Sequence, residues 1–180
     1  MNKNRALLLD RDGVINIDTS YIGKVASFAF TPGLFPFLRS VRDLGYQLAI
    51  LTNQSGVGRG YFSAQDYEEV SAHMLNGLRE EKIEIDLVLA CFAHPEGVMS
   101  DHKRESFWRK PNPGMVLETI RRLDLDPPHC AFLGDSLRDM EAGLAGGIGK
   151  CLWLTQDVTS PRLGIKIVHD FDQALKALSA

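Results

Sequence analysis

An α/β fold built on a parallel sheet is the class this sequence predicts, and three observations predict it. Short apolar runs alternate with longer segments whose apolar residues recur at helical spacing. The short runs are continuous rather than alternating, as strands covered on both faces read. Several of them stop abruptly at an acidic or hydroxyl residue, the pattern of strands that deliver polar side chains to one edge.

Taken in order, Ala6-Leu7-Leu8-Leu9 is the first strand and ends at Asp10. Residues 14–30, with Gly and aromatics, form an insertion placed to fold as a short flap over that strand's end. Leu34 to Leu44 has helical spacing, with Pro32 near its start and Gly45 as its stop. Tyr46 to Leu51 is the second strand, ending at Thr52. Ser63 to Asp66 resembles a capping start for a long helix that runs to about Glu81, with Asp66 in place of the usual Glu or Gln. Leu87 to Phe92 is the third strand. Asn112 caps a helix opened by Pro113 and running through Leu123, since proline is tolerated at the first helical position. Cys130 to Leu133 is a fourth strand, Ser136 to Ala145 a helix, Cys151 to Leu154 a fifth strand, and Asp172 to Leu178 a terminal helix. The sum is a Rossmann-like parallel sheet with helices on both faces, over residues 1–180 as a single domain with no separate cap domain.

Composition narrows the function. A chain of 180 residues is long enough for one well-buried core, and 44% hydrophobic with 24% charged residues is ordinary for a soluble protein. A net charge of −3 provides no basic footprint for nucleic acid. No apolar run reaches the roughly 18–20 residues that span a bilayer, and the four-residue run near the start is too short for a signal segment. Three widely spaced cysteines do not make a disulfide framework, and Cys130 and Cys151 read as buried small hydrophobes. A cytoplasmic monomer without nucleic-acid or membrane partners is the expectation.

The chemistry lies in four polar features at the predicted carboxyl edge: Asp10-Arg-Asp12-Gly13, Thr52-Asn53-Gln54-Ser55, Arg109-Lys110-Pro111, and Gly134-Asp135-Ser136 with Asp139. Parallel strands bring such segments to one crevice. Carboxylates at i and i+2 after a strand point the same way, and Asp135 follows another buried strand. Three acids converging without a cation repel, so either a pKa rises or a hard cation such as Mg²⁺ sits among them. Phosphoryl transfer accounts for the set. A carboxylate attacking a phosphate is an anion meeting an anion, which Mg²⁺ and a lysine would screen while Thr52 and backbone N–H groups hold the oxygens. The second acid can protonate the leaving alcohol and then deprotonate water.

The same residues resemble the haloacid dehalogenase superfamily of phosphatases. LDRDGVIN, TNQSGVGRG and RKPNPGM are similar to its small-capped branch, which includes phosphatases of heptose 1,7-bisphosphate and of histidinol phosphate. The resemblance covers roughly residues 5–155 in four ordered motifs. It implies Asp10 as nucleophile, Asp12 as general acid/base, and Thr52 and Lys110 on the transferring phosphoryl group. It implies Mg²⁺ held by Asp10, Asp135 and the backbone carbonyl of Asp12. Asp139, in the first turns of a helix, reads as positioning Asp135 or bracing the loop. Substrate contacts are implied for Asp18, Thr19, Ser20 and Tyr21 on the flap, for Asn53, Gln54 and Ser55, and for Arg109 and Ser136. The expected substrate is a small sugar phosphate, first a heptose 1,7-bisphosphate losing its 7-phosphate, because Arg109 beside Lys110 can grip a second anion. Histidinol phosphate is the alternative, with Asp18 and Glu96 as partners for its cations. A phospho-accepting receiver domain uses similar ingredients, but the paired acids after the first strand argue against it.

Two other segments invite a function and are expected to lack it. Gly56, Gly58 and Gly60 fit no nucleotide-loop spacing and read as a flexible loop at the substrate edge. His73 and His129 read as structural. Many relatives carry zinc in the loop corresponding to residues 91–110, bound by C-x-H and C-x-C pairs. Here Cys91 keeps the first position, Ala93 replaces the histidine with His94 one residue late, and Ser106 and Trp108 stand for the second cysteine pair. Adding His102 still leaves the tetrahedral set incomplete, so zinc is not expected and Phe107 and Trp108 are expected to anchor the loop by packing.

Overall fold

The computed structural model describes residues 4–157 and 163–180. Six strands form one sheet: β1 (Ala6–Leu9), β2 (Gln47–Asn53), β3 (Leu87–Cys91), β4 (Ala131–Gly134), β5 (Lys150–Leu154) and β6 (Ile165–Val168). Their order is β3-β2-β1-β4-β5-β6, and every neighbouring pair is parallel. The order reverses between β1 and β4, and open sheets of this kind bind ligands outside the strand ends at that reversal. The helices are α1 (Leu34–Asp43), the one-turn α2 (Ser55–Gly58), α3 (Ala64–Glu80), α4 (Gly114–Leu123), α5 (Leu137–Ala145) and α6 (Phe171–Ser179). Among the described residues no helix is long and apolar enough to cross a membrane.

The continuous apolar runs divide by parity between two cores, which is why they do not alternate with polar residues. Leu7, Leu9, Leu48, Ile50, Ala131, Leu133 and Leu152 pack with α1, α3 and α6 on one face. Ala6, Leu8, Ala49, Leu51, Phe132, Cys151 and Trp153 pack with Met115 and Val116 of α4 and Met140 and Ala142 of α5 on the other. Cys130 and Cys151 are buried apolar residues, as read.

Element boundaries follow local chemistry. Helix α3 starts with Ser63 and Asp66 in a reciprocal capping box, so Asp66 does serve where Glu or Gln is usual. Helix α4 starts at Gly114, and Pro113 is its cap rather than its first turn. A side chain at position 114 would lie 2.4 Å from the Phe107 carbonyl oxygen, so the chain crossing beneath this helix requires glycine. Strand β2 runs two residues past Leu51, because Thr52 and Asn53 still pair with Ala90 and Cys91. Strand β6 lies beyond the five read from sequence. Four residues with a lysine between two isoleucines, on the sheet edge, are too few to set a period.

Residues 14–30 form the flap. Val14, Ile15, Ile22 and Phe28 drop into the core, and the Ile17 N–H donates to the Ala29 carbonyl at 2.9 Å, closing the loop on itself. His73, exposed on α3, stacks edge-on against Phe28, and His129 lies 3.1 Å from the Asp126 carboxylate; neither lines the polar cleft at the reversal point. At the flap tip Ser20 and Tyr21 hold positive φ values of 64° and 51°, costly for non-glycine residues. The Asp18 carboxylate, accepting from the Ser20 N–H at 2.8 Å, and the Tyr61 ring, 4.6 Å from that of Tyr21, support this turn.

Candidate active site

A polar cleft of about 340 Å³ opens at the reversal point. Asp10 follows β1, and its backbone N–H continues the ladder to the Leu133 carbonyl at 3.1 Å. Asp135 follows β4 on the adjacent strand. Gly13, at φ 80°, makes the turn after Asp12, and a Cβ there would fall 2.0 Å from the Asp135 carboxylate. The turn therefore lets the two strand ends bring their acids together. Oxygens of Asp10, Asp135 and Asp139 lie within 4.8 Å of one another, the one group of three metal-capable side chains that converges among the described residues.

Lys110 sits among these acids with only 1% of its surface exposed. Its Nζ lies 2.9 Å from Asp10 Oδ1 and 2.6 Å from Asp139 Oδ1, and donates to the Leu51 carbonyl at 2.7 Å. Burial lowers its affinity for a proton, but Asp10 and Asp139 more than reverse that, so it stays an ammonium. Asn53 fixes the chain that delivers it: its Oδ1 accepts from the Lys110 N–H at 3.1 Å and its Nδ2 donates to the Lys110 carbonyl at 2.9 Å. Asp139 also accepts from the Ser136 N–H at 3.1 Å and hydroxyl at 2.7 Å, which ties the start of α5 to the lysine.

Burial raises the Asp10 carboxyl well above its usual range, with Asp139 adding to the effect and Lys110 opposing it. Burial, then Asp139, raises Asp135 to about 6. The protein thus assembles more carboxylate than its own cations neutralise, and a hard divalent cation fits the oxygen-only donor set.

Asp12 has a separate cation. Arg11, also 1% exposed, forks onto it at 2.9–3.2 Å. Gln54 Nε2 donates to Asp12 Oδ2 and to Thr52 Oγ1, both at 2.8 Å. Thr52 is buried beneath the cleft, with its hydroxyl oxygen accepting from Gln54.

Of the residues expected to contact substrate, Asp18, Ser20, Tyr21, Asn53, Gln54, Ser55, Arg109 and Ser136 line the cleft. Thr19 is exposed on the flap and is not among the lining residues. Three further residues line it that the sequence does not suggest as substrate contacts: Arg59, Arg138, and His94, which reads there only as a candidate zinc ligand. Arg138 was legible in principle, because the first turn of a helix after a site-bearing strand faces the same crevice. Arg109 is held partly buried with Arg138 and Arg59 close by, and burial and those two guanidiniums lower its pKa. The far side of the cleft is therefore a cationic rim.

Gly56 and Gly58 form the packed turn of α2 rather than a loop, while Gly60 is exposed just beyond it. Gly56 and Gly58 are buried, and a Cβ at Gly58 would meet the Phe92 carbonyl at 2.3 Å. The 91–110 loop is held differently from expectation as well. Phe107 and Trp108 are 58% and 44% exposed and do not anchor it. Instead the Val98 and Met99 N–H groups donate to the Gly58 carbonyl, His94 and His102 bond through their backbones, and Arg59 donates to the His94 ring at 2.9 Å and to Glu96 at 3.1 Å. Cys91 is buried at the end of β3.

Comparison with known proteins places the chain among phosphatases. A family profile described as HAD-hydrolase-like matches residues 107–177. The chain is 43% identical over 150 residues to the D-glycero-α-D-manno-heptose-1,7-bisphosphate 7-phosphatase of Burkholderia mallei, covering 83% of this chain and 79% of that protein. A HAD-like phosphatase from Mesorhizobium loti superposes with a TM-score of 0.88 at 36% identity, over 98% of this chain and 84% of that one. The D,D-heptose 1,7-bisphosphate phosphatase of B. bronchiseptica, solved with magnesium and phosphate, has a TM-score of 0.81 at 24% identity, over 98% of both chains.

Two outcomes follow from this geometry. Replacing Asn53 by Ala releases the Lys110 backbone, and steady-state kinetics should show kcat down about 10–100-fold, since small misplacements cost that much. Asp135 also leaves a mark on stability. Its raised pKa means the folded form keeps a proton that the unfolded form has lost, so its contribution to stability falls as pH rises from about 4 to about 6. In metal-free melts across that window, wild type should lose Tm relative to Asp135→Asn, and added Mg²⁺ should restore it.

Proposed function

The chain belongs to the HAD-like hydrolase family, and from that premise we propose that it is a Mg²⁺-dependent phosphomonoester hydrolase that removes the 7-phosphate of a D-glycero-D-manno-heptose 1,7-bisphosphate. The observation that carries the reading is the pairing of two acids, two residues apart, each beside a different buried cation: Lys110, shared with Asp139, for Asp10, and Arg11 for Asp12. Environments that differ in this way suit two carboxylates to two roles. The 7-phosphatase names of relatives at this identity and coverage support the substrate class.

In this reading Asp10 is the nucleophile. One of its oxygens bonds to phosphorus while the bond from phosphorus to the sugar oxygen breaks. The electron pair stays on the sugar oxygen, which takes the proton of Asp12. A water oxygen then bonds to phosphorus and passes its proton to Asp12, and the bond to Asp10 breaks to restore the carboxylate. Lys110 holds Asp10 in place and offsets charge on the phosphoryl group, with Thr52 binding one of its oxygens. Mg²⁺ would be held by Asp10, Asp135 and the Asp12 backbone carbonyl, and supplies neutralisation of the carboxylate and phosphate charge. Asp139 acts through Lys110 and Ser136.

Arg109, Arg59 and Arg138 favour a substrate with a second anion over one that presents an amine and an imidazole. That observation ranks the bisphosphate above histidinol phosphate. The paired acid at Asp12 sets the chain apart from a receiver domain, which stores its phosphate. We read the chain as one cytoplasmic phosphatase domain acting on a small sugar phosphate as a monomer, with the 91–110 loop free of zinc.

Incubation with heptose 1,7-bisphosphate and Mg²⁺ should release phosphate steadily, and Asp10→Asn should abolish release. A single stoichiometric burst that leaves a stable phosphoprotein would indicate a switch instead. Arg109→Ala should lower kcat/KM at least about tenfold more for the bisphosphate than for heptose 7-phosphate, as loss of a charged hydrogen-bonding partner of about 1.5–3 kcal/mol predicts. Equal loss on both substrates would detach the rim from the second anion.

A further inference from the structure

Arg11 takes part in no bond-making step of the reaction set out above, yet it is among the most deeply buried large side chains described. A guanidinium that far from water is costly unless a partner holds it. Its partner is Asp12, met through a fork: Nε to Oδ1 at 3.2 Å, and one terminal nitrogen to Oδ1 at 2.9 Å and Oδ2 at 3.1 Å. Tyr67 lies under the guanidinium, 5.9 Å from ring centroid to carbon, and limits its movement from below. Asn16 Nδ2 donates to Asp12 Oδ1 at 3.0 Å, and Gln54 adds its bond to Oδ2. Five hydrogen bonds therefore converge on one carboxylate at the edge of the cleft.

A surface aspartate in a turn needs no such support. A carboxylate that must meet a leaving oxygen and then a water does need it, because proton transfer depends on a fixed donor–acceptor distance. We propose that Arg11 is a positioning residue for the general acid/base: its fork holds the Asp12 carboxylate at the cleft edge, within proton-transfer reach of a leaving oxygen bound there. Asn16 and Gln54 complete the hold, and Gln54, bonded to Thr52 as well, links this acid to the phosphate-binding hydroxyl. Lysine cannot replace arginine here, since an ammonium offers a point charge and no planar fork. The proposal rests on the reading of Asp12 as the general acid/base.

The test compares two substrates whose leaving groups differ in their need for a proton. Heptose 1,7-bisphosphate expels an alkoxide and requires the acid; p-nitrophenyl phosphate expels a stable phenolate and does not. With the Mg²⁺-loaded enzyme, Arg11→Met should lose at least about tenfold more kcat/KM on the sugar phosphate than on the aryl phosphate, a part of the 10²–10⁴ that general acid catalysis supplies. Arg11→Lys, which keeps a buried charge, should discriminate in the same direction and serves if the Met variant does not fold. Combining Arg11→Met with Asp12→Asn should add no discrimination beyond Asp12→Asn alone, since both act through one group. Equal losses on both substrates, or a double variant whose discrimination multiplies, would make Arg11 a packing residue and overturn the proposal. Should Asp12→Asn itself fail to discriminate, the assignment of Asp12 falls first and this one with it.

Discussion

The ammonium of Lys110, held dry between Asp10 and Asp139, is the interaction on which the rest of the site depends. Removing one partner from such a buried set costs about 3–5 kcal/mol, so the surrounding structure is built to prevent its loss. The lysine arrives on a segment clamped by Asn53 at the end of β2. Its third contact is the Leu51 carbonyl of the same strand. Asp139 reaches it from α5 because Gly134 has no side chain: a Cβ there would lie 2.4 Å from that of Asp139. Three segments distant in sequence thus share a single charge, and the parallel sheet is what puts them side by side.

That charge also divides the labour of the two acids after β1. Asp10 faces Lys110, Asp135 and Asp139, in a pocket with more carboxylate than cation. Asp12 faces Arg11, Asn16 and Gln54, all of them donors. One carboxylate awaits further positive charge and the other already has its own. Two residues that are chemically identical in the sequence acquire different electrostatic surroundings through what packs around them.

Most of this was legible in the sequence, and the reasons are local. Apolar runs buried on both faces announce themselves by lacking alternation, so β1 was placed to the residue and the strands around it to within one or two. Acids at strand ends must gather at one edge of a parallel sheet, which is why Asp10 and Asp135 could be brought together from the sequence. What escaped was set by long-range contact. Gln54 lines the cleft, and the bonds its amide nitrogen makes to Asp12 and Thr52 had no local signal. Arg11 stands between two acids, where nothing local marks it as the buried cation it is. Phe107 and Trp108 read as anchors by size alone, while the loop is tied by backbone bonds to Gly58 and by Arg59 on the His94 ring. Strand β6 was too short to carry a pattern.

The most direct measurement is peptide mapping of protein quenched in acid during turnover of heptose 1,7-bisphosphate with Mg²⁺. The account predicts a phosphoryl adduct on the carboxylate of Asp10, in the peptide that carries Asp10 and Asp12, lost on base treatment and absent in Asp10→Asn. An adduct on Asp12 or Asp135, or turnover in Asp10→Asn at the wild-type rate, would contradict it.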